Sequence, residues 1–418
     1  MCRIAMLSVH TCPLATLGGK ETGGMNVYVR ELARELGRRG KQVDIFTRAV
    51  DPHIAPVRQL GPNARVIHIP AGPVAPYDKN AIYCHLPEFV QRVEAFRAQE
   101  GIQYDLVHAH YWLSGVAGHD LAARWGVPMI QMFHTLGHMK NEVAKHERDR
   151  EVGLRIAMET RLVAQADRII SPTSTERAQL AWYYGADPER VTVIPCGVDT
   201  RLFRPRDQHA ARQRLNLPCG RLLLFVGRIE RLKGIDTLLE AAALLAARPG
   251  YDDLRVLIVG GDLESNGDNP ELRRVQRLAE ELCINDRVDF LGSQPQTELP
   301  YFYAAADLTI MPSHYESFGM VALESMACGT PVVASRVGGL ARLVKDGETG
   351  ILVPEEEPTA LAMQIHATLQ HDCEREAMGA QAAAYARDFA WGRIADRICD
   401  LYDEQIHSHA NRECPCVV

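Results

Sequence analysis

The stretch RLLLFVGRIERLKGIDTLLEAAALLAA, residues 221–247, decides the fold. It opens on RLLLFVG (221–227), an almost unbroken apolar run bounded by glycine, the pattern of a strand buried on both faces. The period then changes. KGIDTLLEAAALLAA (233–247) is rich in Leu and Ala, the strongest helix formers, and continues for several turns. A buried strand, a short polar loop and a helix make half of a βαβ unit. Such units build a parallel sheet with helices on its faces.

The same rhythm runs through the rest of the chain. Upstream, strands are expected at RIAMLSV (3–9), QVDIFT (42–47), RVIHI (65–69), LVHAH (106–110), PMIQMF (128–133), RIISP (168–172) and VTVIP (191–195). From Met25 to Arg39, Tyr28, Val29, Leu32, Ala33 and Leu36 share one helical face with charges opposite. Downstream come LRVLIVGG (254–261), RVDFLG (287–292), LTIMP (308–312) and PVVAS (331–335), again with helices between. A polar, proline-bearing stretch, TRLFRPRDQHAARQRLNLPCG (200–220), separates the two runs. The reading is α/β: two parallel-sheet, Rossmann-like domains facing across a cleft, at 1–205 and 206–388. Segment 389–418 is a helix packing back toward the first domain, plus a tail.

Composition narrows the function. The 418 residues carry a net charge of -7, which argues against nucleic acid as a partner. The odd number of cysteines, 11, without a C-x-x-C pair, suits a reducing cytoplasm rather than a disulfide scaffold. Cys414 and Cys416 read as part of a frayed tail. No apolar run approaches the ~20 residues of a transmembrane helix, and no signal peptide is evident, so a cytoplasmic location is expected.

Several constellations carry chemistry. In TGGMNVYVRELARELGRRG (22–40), Gly23 and Gly24 stand at a helix N-terminus. A plain tight turn and an anion-holding loop both fit there, since free N–H groups attract anions and glycine lets them approach. In GRIERLKG (227–234), Arg228 ends a strand and Lys233 is expected to begin the next helix; the two cations can converge on one diphosphate. The most specific block is HYESFGMVALESMACGTPVVAS (314–335). Glu316 and Glu324 flank a helix start at Ser317, Phe318, Gly319 and Met320, and each carboxylate can accept sugar hydroxyls. His134 follows a strand in QMFHTLGHMKN. Lys79, Tyr111, Thr135 and Arg155 are, taken singly, ordinary polar residues. Asp-x-Asp, H-E-x-x-H, G-x-S-x-G and both familiar phosphate-loop fingerprints are absent.

E-S-F-G-x-x-x-x-E (316–324), G-R-x-x-x-x-K-G (227–234) and the early Gly-Gly, in that order, resemble the retaining glycosyltransferases of family 4, with the GT-B fold. SVHTCPL, TGGMNVYV, VDIFTR, HAHYWLSG and FHTLGHMKN are similar to the branch that acts on inositol 3-phosphate in mycothiol synthesis. The N-terminal style also resembles sucrose-phosphate synthases.

The resemblance implies hexosyl transfer, glucose or N-acetylglucosamine, from a nucleotide diphosphate sugar, with UDP favoured, to a phosphorylated small acceptor. It implies front-side attack with retention and no metal or other cofactor. Gly23, Gly24, Asn26, Arg228, Lys233, Glu316, Ser317, Phe318, Gly319, Met320 and Glu324 would hold the donor, with His134, Arg228, Lys233 and Glu316 catalytic. Lys79, Tyr111, Thr135 and Arg155 would hold the acceptor's phosphate. A homodimer is an assembly this reading allows. The alternatives are a lipid-linked or polysaccharide acceptor, a nucleotide-sugar 2-epimerase, and a non-catalytic sugar-nucleotide sensor.

Overall fold

The structure, a computed structural model, describes residues 2–15, 22–261 and 269–413; Cys414 and Cys416 lie outside them. The chain forms two compact units. Among the described residues, the first holds 2–15, 24–195 and 391–413; the second holds Thr22, Gly23 and Cys196–Ala390.

The first unit is built on strands β1 (Arg3–Leu7), β2 (Gln42–Arg48), β3 (Val57–Gly61), β4 (Ala64–Ile69), β5 (Leu106–His110), β6 (Met129–Met132), β7 (Arg168–Ser171) and β8 (Val191–Val193). Their order is β3-β4-β2-β1-β5-β6-β7-β8. Every pairing is parallel except β3 with β4. The parallel-sheet reading holds for this unit, and the antiparallel edge strand β3 was not read from the sequence. VRQLG is an edge strand with three of its five residues exposed, so it lacks the apolar run that marks a buried strand. It turns into β4 through Asn63, at φ 54°.

The helix Gly24–Arg38 buries the expected stripe: Tyr28, Val29, Leu32, Ala33 and Leu36 are inaccessible to solvent. The last helix, Trp391–Glu413, belongs to this unit, as the sequence suggested. Arg39 pairs with Asp396 at 2.7 Å and Lys41 with Asp403 at 2.6 Å. Trp391 meets Tyr28 edge-on at 5.3 Å, and the Tyr402 hydroxyl lies 2.6 Å from His108 Nδ1.

The second unit has strands β9 (Leu222–Val226), β10 (Arg255–Val259), β11 (Val288–Gly292), β12 (Leu308–Met311), β13 (Val332–Ser335) and β14 (Gly350–Val353). They run in the order β11-β10-β9-β12-β13-β14, all parallel. Leu223, Phe225, Leu238, Leu239, Leu245, Ile258, Ile310 and Val333 fill its core. The short edge strand β14 was not read from the sequence. The chain enters this unit after Pro195 and leaves it after Ala390, rather than at 205/206 and 388/389. The Val198 N–H donates to the Phe389 carbonyl at 2.8 Å, and buried Phe203 packs on Tyr303, which draws the polar linker into the unit.

Each sheet has a topological switch point, where neighbouring strands send their crossovers to opposite sides and leave a crevice at their carboxyl ends. In the first sheet it falls between β1 and β5, in the second between β9 and β12. Among the described residues no helix is long and apolar enough to cross a membrane.

Trp391 is 4% exposed and covers Tyr28. Trp391→Ala should therefore cost the first unit about 3–5 kcal/mol, the range for emptying a buried aromatic site. The check is a lowered urea midpoint with an unchanged slope; an unmoved midpoint would show that the last helix contributes little to that core.

Candidate functional site

In the second unit both donor motifs leave the switch point. GRIERLKG follows β9 and HYESFG follows β12. Lys233 does not begin the helix. It closes a 3-10 turn, Arg231–Lys233, and the helix starts at Ile235. Gly234 between them sits at φ 63°, and a Cβ there would lie 2.0 Å from the Pro312 carbonyl. Glycine thus lets this turn lie against the end of β12. The result is an ion pair across the switch point, Lys233 Nζ to Glu316 Oε2 at 2.6 Å, both about a fifth exposed. Arg228 pairs instead with Glu230 at 2.6 Å.

The helix Met320–Ala327 begins where expected, with Gly319 at φ 103° as its N-cap. The N–H groups of its first turn have no acceptor within the helix, and the helix follows β12, one of the two strands at the switch point. Phe318 is buried and Ser317 and Met320 are half-buried. The Gly339 N–H donates to the Glu316 carbonyl at 2.7 Å, so the VGG segment 337–339 fixes the Glu316 loop, a part the sequence reading missed. Glu324 is 7% exposed and accepts from the buried Tyr303 hydroxyl at 2.9 Å. That is the partner its apolar surroundings demanded.

In the first unit the sites follow β5 and β6. Tyr111 stands at φ 75° and His134 at φ 63°, conformations that bulky residues seldom adopt and that mark functional sites. The Tyr111 N–H donates to the Met132 carbonyl at 2.8 Å and joins the two strand ends. Arg155, on the helix Gly153–Gln165, has no exposed surface. It donates from Nε to Glu159 at 2.7 Å and from Nη2 to the Thr135 carbonyl and hydroxyl at 2.8 and 3.0 Å. Its guanidinium lies 4.8 Å from the centre of the Tyr111 ring. So Tyr111, Thr135 and Arg155, scattered in the sequence, meet in one cluster, and the charge of Lys79 reaches Tyr111, Lys140 and Glu151. Lys140 and Glu151 complete it and were missed; nothing in their sequence context sets them apart from surface residues.

Asn26 is buried, and its amide group donates to Thr11 Oγ1 at 2.7 Å and to the Cys12 carbonyl at 2.8 Å. It braces the loop after β1. Gly24 opens the first helix, while Gly23 groups with the second unit.

His134 has two unexpected neighbours. Its Nε2 is 2.9 Å from His110 Nδ1, and His110 packs on His108 at 4.1 Å between ring centres. Burial holds His134 and His108 down to about 3, and His110 well below its ordinary value, so all three are neutral near pH 7. The signal was present in LVHAH, whose alternate histidines share one face of a strand. Among the described residues no group of three or more His, Cys, Asp or Glu is placed to hold a metal.

Comparison with known proteins agrees with this geometry. The Glycosyltransferase Family 4 model matches residues 22–202, and the model for glycosyl transferases group 1 matches 207–385. The chain is 44% identical to a D-inositol 3-phosphate glycosyltransferase of Acidothermus cellulolyticus, over 97% of this chain and 90% of that protein. It is equally identical, 44%, to one of Thermomonospora curvata, over 96% and 95%. The sucrose-phosphate synthase structure from Thermosynechococcus elongatus superposes with a TM-score of 0.90 at 36% identity, covering 98% of this chain and all of that one.

The buried groups set a pH dependence of stability. His108 has a lowered pKa, so the unfolded chain takes its proton first, and stability falls as pH drops from about 6.5 toward 3. Glu176 is buried with neither carboxyl oxygen hydrogen-bonded, and burial raises it to about 8. The unfolded chain loses that proton first, so stability also falls as pH rises from about 4.5 to 8. Urea titrations should show a decline between pH 6.5 and 8 of up to ~1.4 kcal/mol per unit, flattened in Glu176→Gln. A flat wild-type profile there would mean that Glu176 is ionised.

Proposed function

The chain belongs to glycosyltransferase family 4, and on that footing we propose that it moves a hexosyl unit from a nucleotide diphosphate sugar to a hydroxyl of a phosphorylated small acceptor, with retention of configuration. Each unit supplies one substrate. The observation that carries the acceptor class is the meeting of Tyr111, Thr135 and Arg155, a buried guanidinium against a hydroxyl and an aromatic ring, with the charge of Lys79 reaching Tyr111. A phosphate monoester suits such a set, since Arg offers a planar fork and Lys a point charge. The relatives at 44% identity are named for inositol 3-phosphate and the solved neighbour for sucrose phosphate, which supports the same class.

On the donor side, Arg228, Lys233 and the first-turn N–H groups of Met320–Ala327 would stabilise charge developing on the leaving diphosphate. In this reading they do the work that a divalent cation does elsewhere, and no cofactor is needed. Glu316, fixed by Lys233 and by Gly339, would receive hydroxyls of the transferred sugar. Glu324, buried beside Tyr303, would receive those of the ribose. UDP-linked glucose or N-acetylglucosamine is the favoured donor, on the family resemblance. His134, neutral, would orient the sugar as a hydrogen-bond partner.

The test is product detection by mass spectrometry with pooled UDP-, GDP- and ADP-sugars. Inositol 3-phosphate and fructose 6-phosphate are set against their unphosphorylated forms. A phosphorylated glycoside, in which the hexosyl unit is joined to an acceptor hydroxyl, is expected and should form only from phosphorylated acceptors. Product from lipid-linked or polysaccharide acceptors alone would overturn the acceptor assignment, and donor conversion without acceptor would point to an epimerase. Lys233→Ala and Glu316→Ala should each lower turnover about a hundred- to a thousand-fold; wild-type rates in both would remove the pair from the site.

A further inference from the structure

The phosphate cluster contains an anion of its own. Glu151 lies two residues before the helix Gly153–Gln165, and its side chain is only 7% exposed. One oxygen, Oε1, serves two cations: Lys140 Nζ at 2.5 Å and Arg155 Nη1 at 2.9 Å. Its backbone N–H donates to Asn141 Oδ1 at 2.7 Å, which seats the loop against the helix that carries Lys140. Burial alone would raise the Glu151 carboxyl, but Arg155, Lys140 and Lys79 hold it down to about 2, so it is charged.

The contact with Arg155 is not a good hydrogen bond. Nη1 is within ion-pair distance, yet it is buried and has no acceptor in line. The other polar arms of Arg155 are well used: Nε on Glu159 and Nη2 on Thr135. One donor of a fully buried guanidinium therefore aims into the cluster beside Lys79 and Lys140 without a properly directed partner. Buried donors are seldom left so, and a better-placed acceptor gains by reaching it.

We propose that Glu151 is a built-in counter-ion which the acceptor's phosphate displaces, and that Lys140 and Arg155 Nη1 then bind that phosphate. This rests on the reading of the cluster as the acceptor's phosphate site. The exchange keeps charge in balance: one carboxylate leaves the cations and a phosphate monoester, with up to two charges and three free oxygens, takes its place. Glu151 needs only a side-chain rotation into solvent, where its desolvation cost is recovered. A neutral hydroxyl cannot make the exchange, because it would leave Lys140 without this anion and Arg155 with Glu159 alone. Glu151 is thus a specificity-determining residue that rejects unphosphorylated acceptors, and Lys140 is a further phosphate ligand.

Two variants of the full chain test this, with inorganic phosphate as the binding probe and the phosphorylated acceptor as substrate. Glu151→Gln removes the competitor and should bind phosphate about ten-fold more tightly, with a larger rise in melting temperature on adding phosphate than wild type shows. Lys140→Met should raise KM for the phosphorylated acceptor about ten-fold or more, the range for losing a charge-assisted hydrogen bond, with a smaller change in kcat. If Glu151→Gln binds phosphate no better than wild type, or Lys140→Met keeps the wild-type KM, the inference is overturned while the phosphate site stands. If wild type neither binds phosphate nor prefers a phosphorylated acceptor, the site assignment itself falls and the inference with it.

Discussion

The Lys233–Glu316 ion pair spans a switch point. Lys233 arrives on the loop from β9 and Glu316 on the loop from β12, strands that are neighbours in the sheet although far apart in the chain. Parallel pairing forces this meeting, because it brings the carboxyl ends of both strands to one edge. The helix that starts at Met320 leaves from the same edge, so its N-terminal dipole end and the lysine share one crevice. The pair itself is close to neutral. In the proposed function an arriving diphosphate would change that balance by drawing on Lys233 and leaving Glu316 to accept hydroxyls. Gly234 and Gly339 keep the two loops close enough for the contact to form.

The first unit meets a different constraint. A guanidinium buried as completely as that of Arg155 is costly unless its charge and hydrogen bonds are met. Glu159, Thr135 and the Tyr111 ring meet most of that demand, and Glu151 meets the charge but not the direction. The same region holds Tyr111 and His134 at positive φ, strain of order 1–3 kcal/mol per residue in such cases. A site assembled from a buried cation, strained backbone and an imperfectly placed carboxylate is less stable than a plain core would be. That arrangement makes sense when an anionic ligand completes it.

Much of the fold was legible because parallel strands buried on both faces write themselves as apolar runs. RLLLFVG, LRVLIVGG and LTIMP needed no structure to be read as strands. What escaped was whatever lacked that signature: β3 is exposed and antiparallel, and β14 is four residues at an edge. The proposed donor motifs stood out in the sequence because glycines, cations and glutamates lie at loop positions with tight spacing. The proposed acceptor residues were suggested only by resemblance, since they come from a loop, two strand ends and a helix. Lys140 and Glu151 show the limit most clearly. A lysine and a glutamate eleven residues apart read as solvated charges, and only tertiary packing brings them within 2.5 Å and out of water.

The histidines carry the argument to the chemistry. Three imidazoles, at 108, 110 and 134, lie in succession with ring centres 4.1 and 5.1 Å apart, and burial, joined at His108 and His110 by the neighbouring histidines, disfavours charge on each. A neutral imidazole has one donor and one acceptor, so the 2.9 Å contact between His110 and His134 constrains both rings at once. Whichever ring donates, the other must carry its proton on the far nitrogen. The Tyr402 hydroxyl, from the last helix, hydrogen-bonds His108 Nδ1 at 2.6 Å and can be donor or acceptor there. His134 therefore comes to the proposed reaction with its tautomer tied to a buried neighbour and with no proton to give up near neutral pH. In front-side displacement the leaving phosphate takes the acceptor's proton, and the protein needs no acid at that position. An uncharged hydrogen-bonding ring at the strand end suits the proposed reaction, and the backbone at His134, at φ 63°, holds it there.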